Sequence, residues 1–176
     1  ANDVTFTADY AAQDVFYSVT YRRMDANGAY TLMYSQNRTA KAGSIVQEPC
    51  EVSADYASQV AEGYIKPLVQ TVEIAGDGST VIYYDYRLIK SHLGYDLSGG
   101  TATTSNYAQS GDYYYGKTLQ IPVLSQVKRT GYAAKGWYDA SDPSKKLVDG
   151  NNITIGAKDV TYKLLWEPVT YTITYD

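Results

Sequence analysis

Residues 116–122 read "GKTLQIP", and residues 43–49 read "GSIVQEP". Both follow Gly-x-x-aliphatic-Gln-x-Pro, 73 residues apart. Working outward, Gly-Tyr at 63–64 returns at 131–132, 68 residues later. Three alternating runs end on a large aromatic: "VTFTADY" (4–10), "TVIYYDY" (80–86) and "VTYKLLW" (160–166), spaced by 76 and 80. "VFYSVTY" (15–21) and "VTYTITY" (169–175) share period-2 alternation and the same tyrosine phasing. Markers in one order at one period are the signature of an internal repeat.

The period sets the domain plan. Residues 1–13 read as the trailing strand of a preceding repeat or the first strand of unit one. Residues 14–89 form the first repeat and 90–168 the second. Residues 169–176 start a following one. Both ends fall inside strand-like patterns, which predicts an excised fragment of a longer protein.

Composition points to strands. The chain has 176 residues, 44% of them hydrophobic, with 20 tyrosines against 2 phenylalanines. Tyrosine and threonine suit a pleated, half-buried surface, and tyrosine keeps a polar handle at a core edge. "FYSVTYRRMDANGAYTLMYSQ" (16–36) predicts a hairpin, with Asn27-Gly28 as its turn signal. "VQTVEIAGDGSTVIYYDYRLI" (69–89) predicts a second hairpin around "GDGS", with Asp85 and Arg87 on the solvent face. In unit two "DLSGGT" and "DGNN" play the turns. Val52, Tyr56 and Val60 recur at helical spacing, with Ser53 able to cap and Gly63 able to stop, so a helix is expected near 53–62. "VLSQVKRTGY" (123–132) leaves room for one or two turns at most. The expected fold is mainly β (α+β): two tandem β-grasp-like repeats, each β–β–(short α)–β–β with a small mixed sheet.

Net charge is −4, with no run of one sign. That argues against a nucleic-acid partner and against membrane anchoring by a basic patch. No apolar run reaches the ~18–20 residues of a membrane span. Cys50 is the only cysteine, so neither an internal disulfide nor a Cys-based metal site can form. It reads as a small buried hydrophobe. His92 is the only histidine, has no attendant nucleophile motif, and reads as a solvated linker residue. The Asx-rich turns, Asp139 and Asp142 among them, fail the calcium-loop spacing and read as turns. The sequence therefore predicts no catalytic residues, no cofactor and no metal.

"GDYYYGK" (111–117) is the stretch that could meet a partner. In a strand Tyr114 opposes Tyr113 and Tyr115, which predicts at least one exposed ring. With Tyr138 these form the candidate partner surface, for a glycan or a protein. Packing between neighbouring repeats is the competing reading.

"GYAAKGWY" (131–138) supplies the structural signature. Gly131 is read as ending a turn, Gly136 as allowing close backbone approach and Trp137 as filling the core. With Tyr95, Gly99, Gly100, Thr101, Gly116, Pro122, Tyr132, Tyr138 and Trp166, this stretch resembles the Listeria–Bacteroides repeat, also known from internalin B-repeats. Ala134 stands where that family usually has Phe. The first unit is similar to mucin-binding-type β-grasp modules, without the Gly-Trp-Tyr. The resemblance implies a non-enzymatic tandem segment of a bacterial cell-surface, cell-wall or secreted protein, acting as stalk or adhesion surface. It implies neighbouring repeats, and a host glycan or surface protein, as partners. A glycan- or mucin-binding module and an accessory domain of a secreted enzyme are the alternatives.

Overall fold

A computed structural model describes residue 7 and residues 11–174. The run at 4–10, the strand expected over 1–13 and the end of "VTYTITY" therefore lie wholly or partly outside the described residues. The chain divides into two compact units: the first runs to Asp25 and resumes over Ala29–Arg87, and the second takes Ala26–Gly28 with the residues from Leu88 on.

In the first unit, β1 (Asp14–Met24) and β2 (Tyr30–Lys41) form the expected antiparallel hairpin. Its loop runs from Asp25 to Ala29, and the Asp25 carboxylate accepts from the Ala29 N–H at 2.9 Å. β3 (Ile45–Glu48), α1 (Ala54–Ala57), a 3-10 turn (Ser58–Val60), β4 (Tyr64–Ile65), β5 (Gln70–Glu73) and β6 (Val81–Leu88) follow. The main sheet has the order β2-β1-β6-β4, and β3 pairs with β5 as a separate ribbon. β6 runs parallel to β1, with Ser18 opposite Val81 and Arg23 opposite Tyr86.

This corrects the second expected hairpin. Both flanks of "GDGS" are strands, but they do not pair with each other. β5 joins β3, and β6 crosses into the main sheet. Local alternation reveals strands and not their partners, because parallel pairing is made with residues far away in sequence. Among the described residues the unit has six strands rather than four.

Alternation puts Tyr17, Val19 and Tyr21 of β1, and Ile82, Tyr84 and Tyr86 of β6, into one core with Cys50, Val60 and Ile74. Val46 of β3 and Val72 of β5 pack onto it from the ribbon. The opposite parity of β6 faces out. There Asp85 binds Arg22 through two bonds of 2.7 Å, and Arg87 is exposed, as their sequence parity predicts.

The helix is shorter than the expected 53–62. Ser53 makes no side-chain cap bond, and its N–H donates to the Tyr34 hydroxyl at 2.7 Å. The chain tightens to a 3-10 turn and then leaves helical geometry at Ala61. The predicted face persists in part: Val60 is buried, Val52 is half-buried, and Tyr56 stacks on Tyr34 at 4.6 Å.

The second unit comprises β7 (Lys90–Asp96), β8 (Thr101–Ala102), β9 (Gly111–Tyr114), β10 (Thr118–Gln120), a 3-10 turn (Leu124–Gln126), β11 (Val127–Lys128), β12 (Tyr132–Asp139), β13 (Asp142–Leu147), β14 (Asn152–Thr154) and β15 (Val160–Pro168). Its main sheet has the order β13-β12-β15-β7-β9, β10 pairs with β14, and β8 with β11. "DLSGGT" therefore does not join two paired strands. The chain turns there into β8 and returns to β7 only at β9. Residues 169–174 form no strand.

The two units share a wiring. In each, the first strand pairs antiparallel with the next strand of its main sheet and parallel with the last. In each, a two-stranded ribbon starts at the Gln-Pro marker. The marker glycines have one backbone role. Gly43 and Gly116 have φ of +74° and +79° with open space around them, a conformation suited to glycine. The Gly43 N–H donates to Ile74 O and the Gly116 N–H to Ile155 O, both at 2.8 Å. The sequence period is thus a structural period.

Candidate functional site

The second unit is built around Trp137. The residue is fully buried, its ring meets Tyr95 edge-on at 5.2 Å, and its indole N–H donates to Pro122 O at 2.9 Å. Gly136, one residue earlier, sits where β12 shifts register against β15. Its φ is +142°, and an added Cβ would lie 2.7 Å from Leu147 O on β13. Gly131 has φ +78° and ends the turn from Arg129, whose carbonyl accepts from the Tyr132 N–H. Tyr132 is part-exposed beneath the Arg129 guanidinium, 4.0 Å from the ring centroid. Trp166 is half-buried, donates to Leu97 O at 2.8 Å and closes over Gly100.

The four tyrosines singled out from the sequence do not form one patch. Tyr113 packs on the core side of the sheet, opposite Ser91. Tyr114 takes the other face, where the Lys90 ammonium lies 5.3 Å from its ring. Tyr115 lies just past β9, and its N–H bonds to Ile89 O. All three are half-buried rather than open. Tyr138 is on β12, three strands across the sheet from β9, so roughly 14 Å away at normal strand spacing.

A groove on the core side of β9 brings other residues together. It has a volume of about 300 Å³ and is bordered by Tyr95, Tyr107 and Tyr113. Asn106, Gln109, Gln120 and Gln126 also line it, and all four amides belong to exposed residues. No Asp, Glu, Lys, Arg or His takes part. Burial raises the Tyr95 hydroxyl pKa to about 12, reinforced by its neighbours Tyr113, Tyr162 and Tyr107. Burial likewise raises Tyr107 to about 12, with Asp149 adding to the effect. Both are neutral donors at ordinary pH. The Tyr107 hydroxyl is buried without a hydrogen-bond partner among the described residues. Of this constellation the sequence placed only Tyr113 on a partner surface, and Tyr95 only among the repeat markers. The amides come from the 103–110 loop, β10 and the 3-10 turn, which no local pattern connects.

In the first unit, Glu48 is the notable polar group. It is buried, accepts from the Tyr17 hydroxyl at 2.9 Å and pairs with Arg38 at 3.2 Å. Its main-chain carbonyl accepts from the Tyr84 hydroxyl. Every contact is a structural tie between strands. Cys50 is buried with its sulfur 3.3 Å from the Tyr86 hydroxyl, and burial raises its thiol pKa.

His92 is not in a linker. It is exposed on β7, with Nδ1 2.7 Å from the Asp112 carboxylate. Asp139 and Asp142 each accept from a serine two residues on, and those bonds hold both carboxyls below the usual range. Among the described residues no three His, Cys, Asp or Glu side chains are arranged to hold a metal ion. Nor is any helix there long and apolar enough to cross a membrane.

The buried Trp137, the Gly136 shift and the positive-φ Gly116 and Gly131 all fall in one matched segment. Residues 92–162 match the Listeria–Bacteroides repeat domain. That repeat is typical of bacterial surface proteins. Among curated proteins none matches the chain. The first unit's likeness to mucin-binding-type modules rests on its sequence alone.

Proposed function

We propose that this chain is a non-enzymatic tandem segment of a bacterial cell-surface or secreted protein, serving as a spacer that carries load and presents a surface for adhesion. The observation that supports this reading is the parallel pairing of the first and last described strands of each unit. β1 lies beside β6, and β7 beside β15. Pulling the start of the first strand away from the end of the last slides two parallel strands past each other. Their hydrogen bonds are then loaded together rather than opened one by one, which resists extension. The repeat domain's occurrence in bacterial surface proteins supports the location.

The test is single-molecule extension of the whole chain held at its two ends. Two separate unfolding steps are expected, from Asp14–Leu88 and Lys90–Pro168. Each should release roughly 25 nm at ~3.5 Å per residue. Featureless extension at low force overturns the spacer reading.

A further inference from the structure

We propose that the groove beneath β9 in the second unit is a binding site for a neutral saccharide. The inference deepens the adhesion part of the function proposed above, and is independent of the spacer part.

Three features of the groove carry it. The first is its chemistry. Tyrosine faces offer flat apolar surface to the C–H face of a pyranose, and primary amides offer donors and acceptors to its hydroxyls. Tyr95 and Tyr113 are half-buried, with one part of each side chain set in the core cluster. Their position is therefore fixed before a ligand arrives, which lowers the ordering cost of binding.

The second feature is the absence of charge. Four other depressions on the described residues contain Glu51 and Lys66, Lys66 with Asp85 and Arg87, Lys128 with Arg129, or Asp139 with Lys158. This groove contains none. An anionic ligand would have to shed water with no cation to receive it, which is unfavourable. A neutral polyhydroxyl ligand carries no such penalty.

The third feature is size. About 300 Å³ lies at the small end of ligand sites and suits a compact sugar unit rather than an extended peptide.

The experiment titrates the intact chain with neutral oligosaccharides of glucose, galactose and N-acetylhexosamine, and with sialylated and sulfated counterparts. NMR or calorimetry reads binding. Gln109→Ala with Gln126→Ala removes two exposed amides without touching the core, so the melting temperature should hold. The proposal expects at least one neutral sugar to bind, and this variant to weaken it about tenfold or more. Three results each overturn it: no neutral sugar binding to the folded chain, equal binding by the variant, or preference for the anionic glycans. None of the three touches the extension experiment, so the two readings fail separately.

Discussion

The indole N–H of Trp137 donates to the carbonyl of Pro122 at 2.9 Å, tying the "GYAAKGWY" strand to the last residue of "GKTLQIP". The two strongest sequence markers of the second unit are thus bonded to each other. Trp137→Phe removes both the bond and part of the ring that fills the core. It should cost about 2–4 kcal/mol, read by urea unfolding. Trp166→Phe, at a half-buried site, should cost less. Equal stability of the Trp137 variant and the parent would show that the core does not depend on this ring.

Gly136 and Gly116 are both glycines at positive φ, but their surroundings differ. Gly136→Ala sets a Cβ 2.7 Å from the Leu147 carbonyl of the neighbouring strand. It should cost about 2–4 kcal/mol, strain and displaced strand together. Gly116→Ala meets nothing within 4 Å and carries only the conformational cost, about 1 kcal/mol. Denaturant midpoints of the two variants decide; the reverse ranking would contradict the geometry.

Cys50 should behave as a reporter of opening. With 2% of its surface exposed and its thiol pKa raised by burial, it should resist a disulfide reagent in the native protein. Reaction should become complete in denaturant. Fast labelling without denaturant would mean that the first unit opens readily around Tyr86.

Alkaline pH should destabilise the fold. Burial raises Tyr21, Tyr95 and Tyr107 to about 12 in the folded chain. In the unfolded chain tyrosine titrates near ~10. Above that value the unfolded state releases protons that the folded state keeps, so stability falls as pH rises. The contribution is complete below pH ~10 and is lost between ~10 and ~12. Urea midpoints measured from pH 7 to 11 should stay level and then drop. Phenolate absorbance should show a late-titrating group of tyrosines, and its absence would remove the basis of this prediction.

Much of the fold was legible because it is written locally. Alternation located β1, β2, β6 and β15, and Asn27-Gly28 marked a real hairpin. The repeat markers were legible because Gly43 and Gly116 share one backbone role. Strand partnership was not, since β6 pairs with β1 across more than sixty residues, Ser18 facing Val81. The helix was overread because the spacing of Val52, Tyr56 and Val60 does not distinguish one longer helix from a single α turn followed by a 3-10 turn. The groove was invisible for a similar reason. Asn106, Gln120 and Gln126 share no period, and only the fold beneath β9 collects them.

The last strand of each unit lies inside its sheet, not at the edge: β6 stands between β1 and β4, and β15 between β7 and β12. A chain that emerges from its amino end, from a ribosome or a secretion channel, therefore holds a sheet with a gap at its centre until the final strand appears. The first unit cannot close before Leu88 is out, nor the second before Pro168. Closure comes in two pulses, one per unit. Each unfilled gap is a time during which the Tyr-rich edges of neighbouring strands are open to mispairing with another chain.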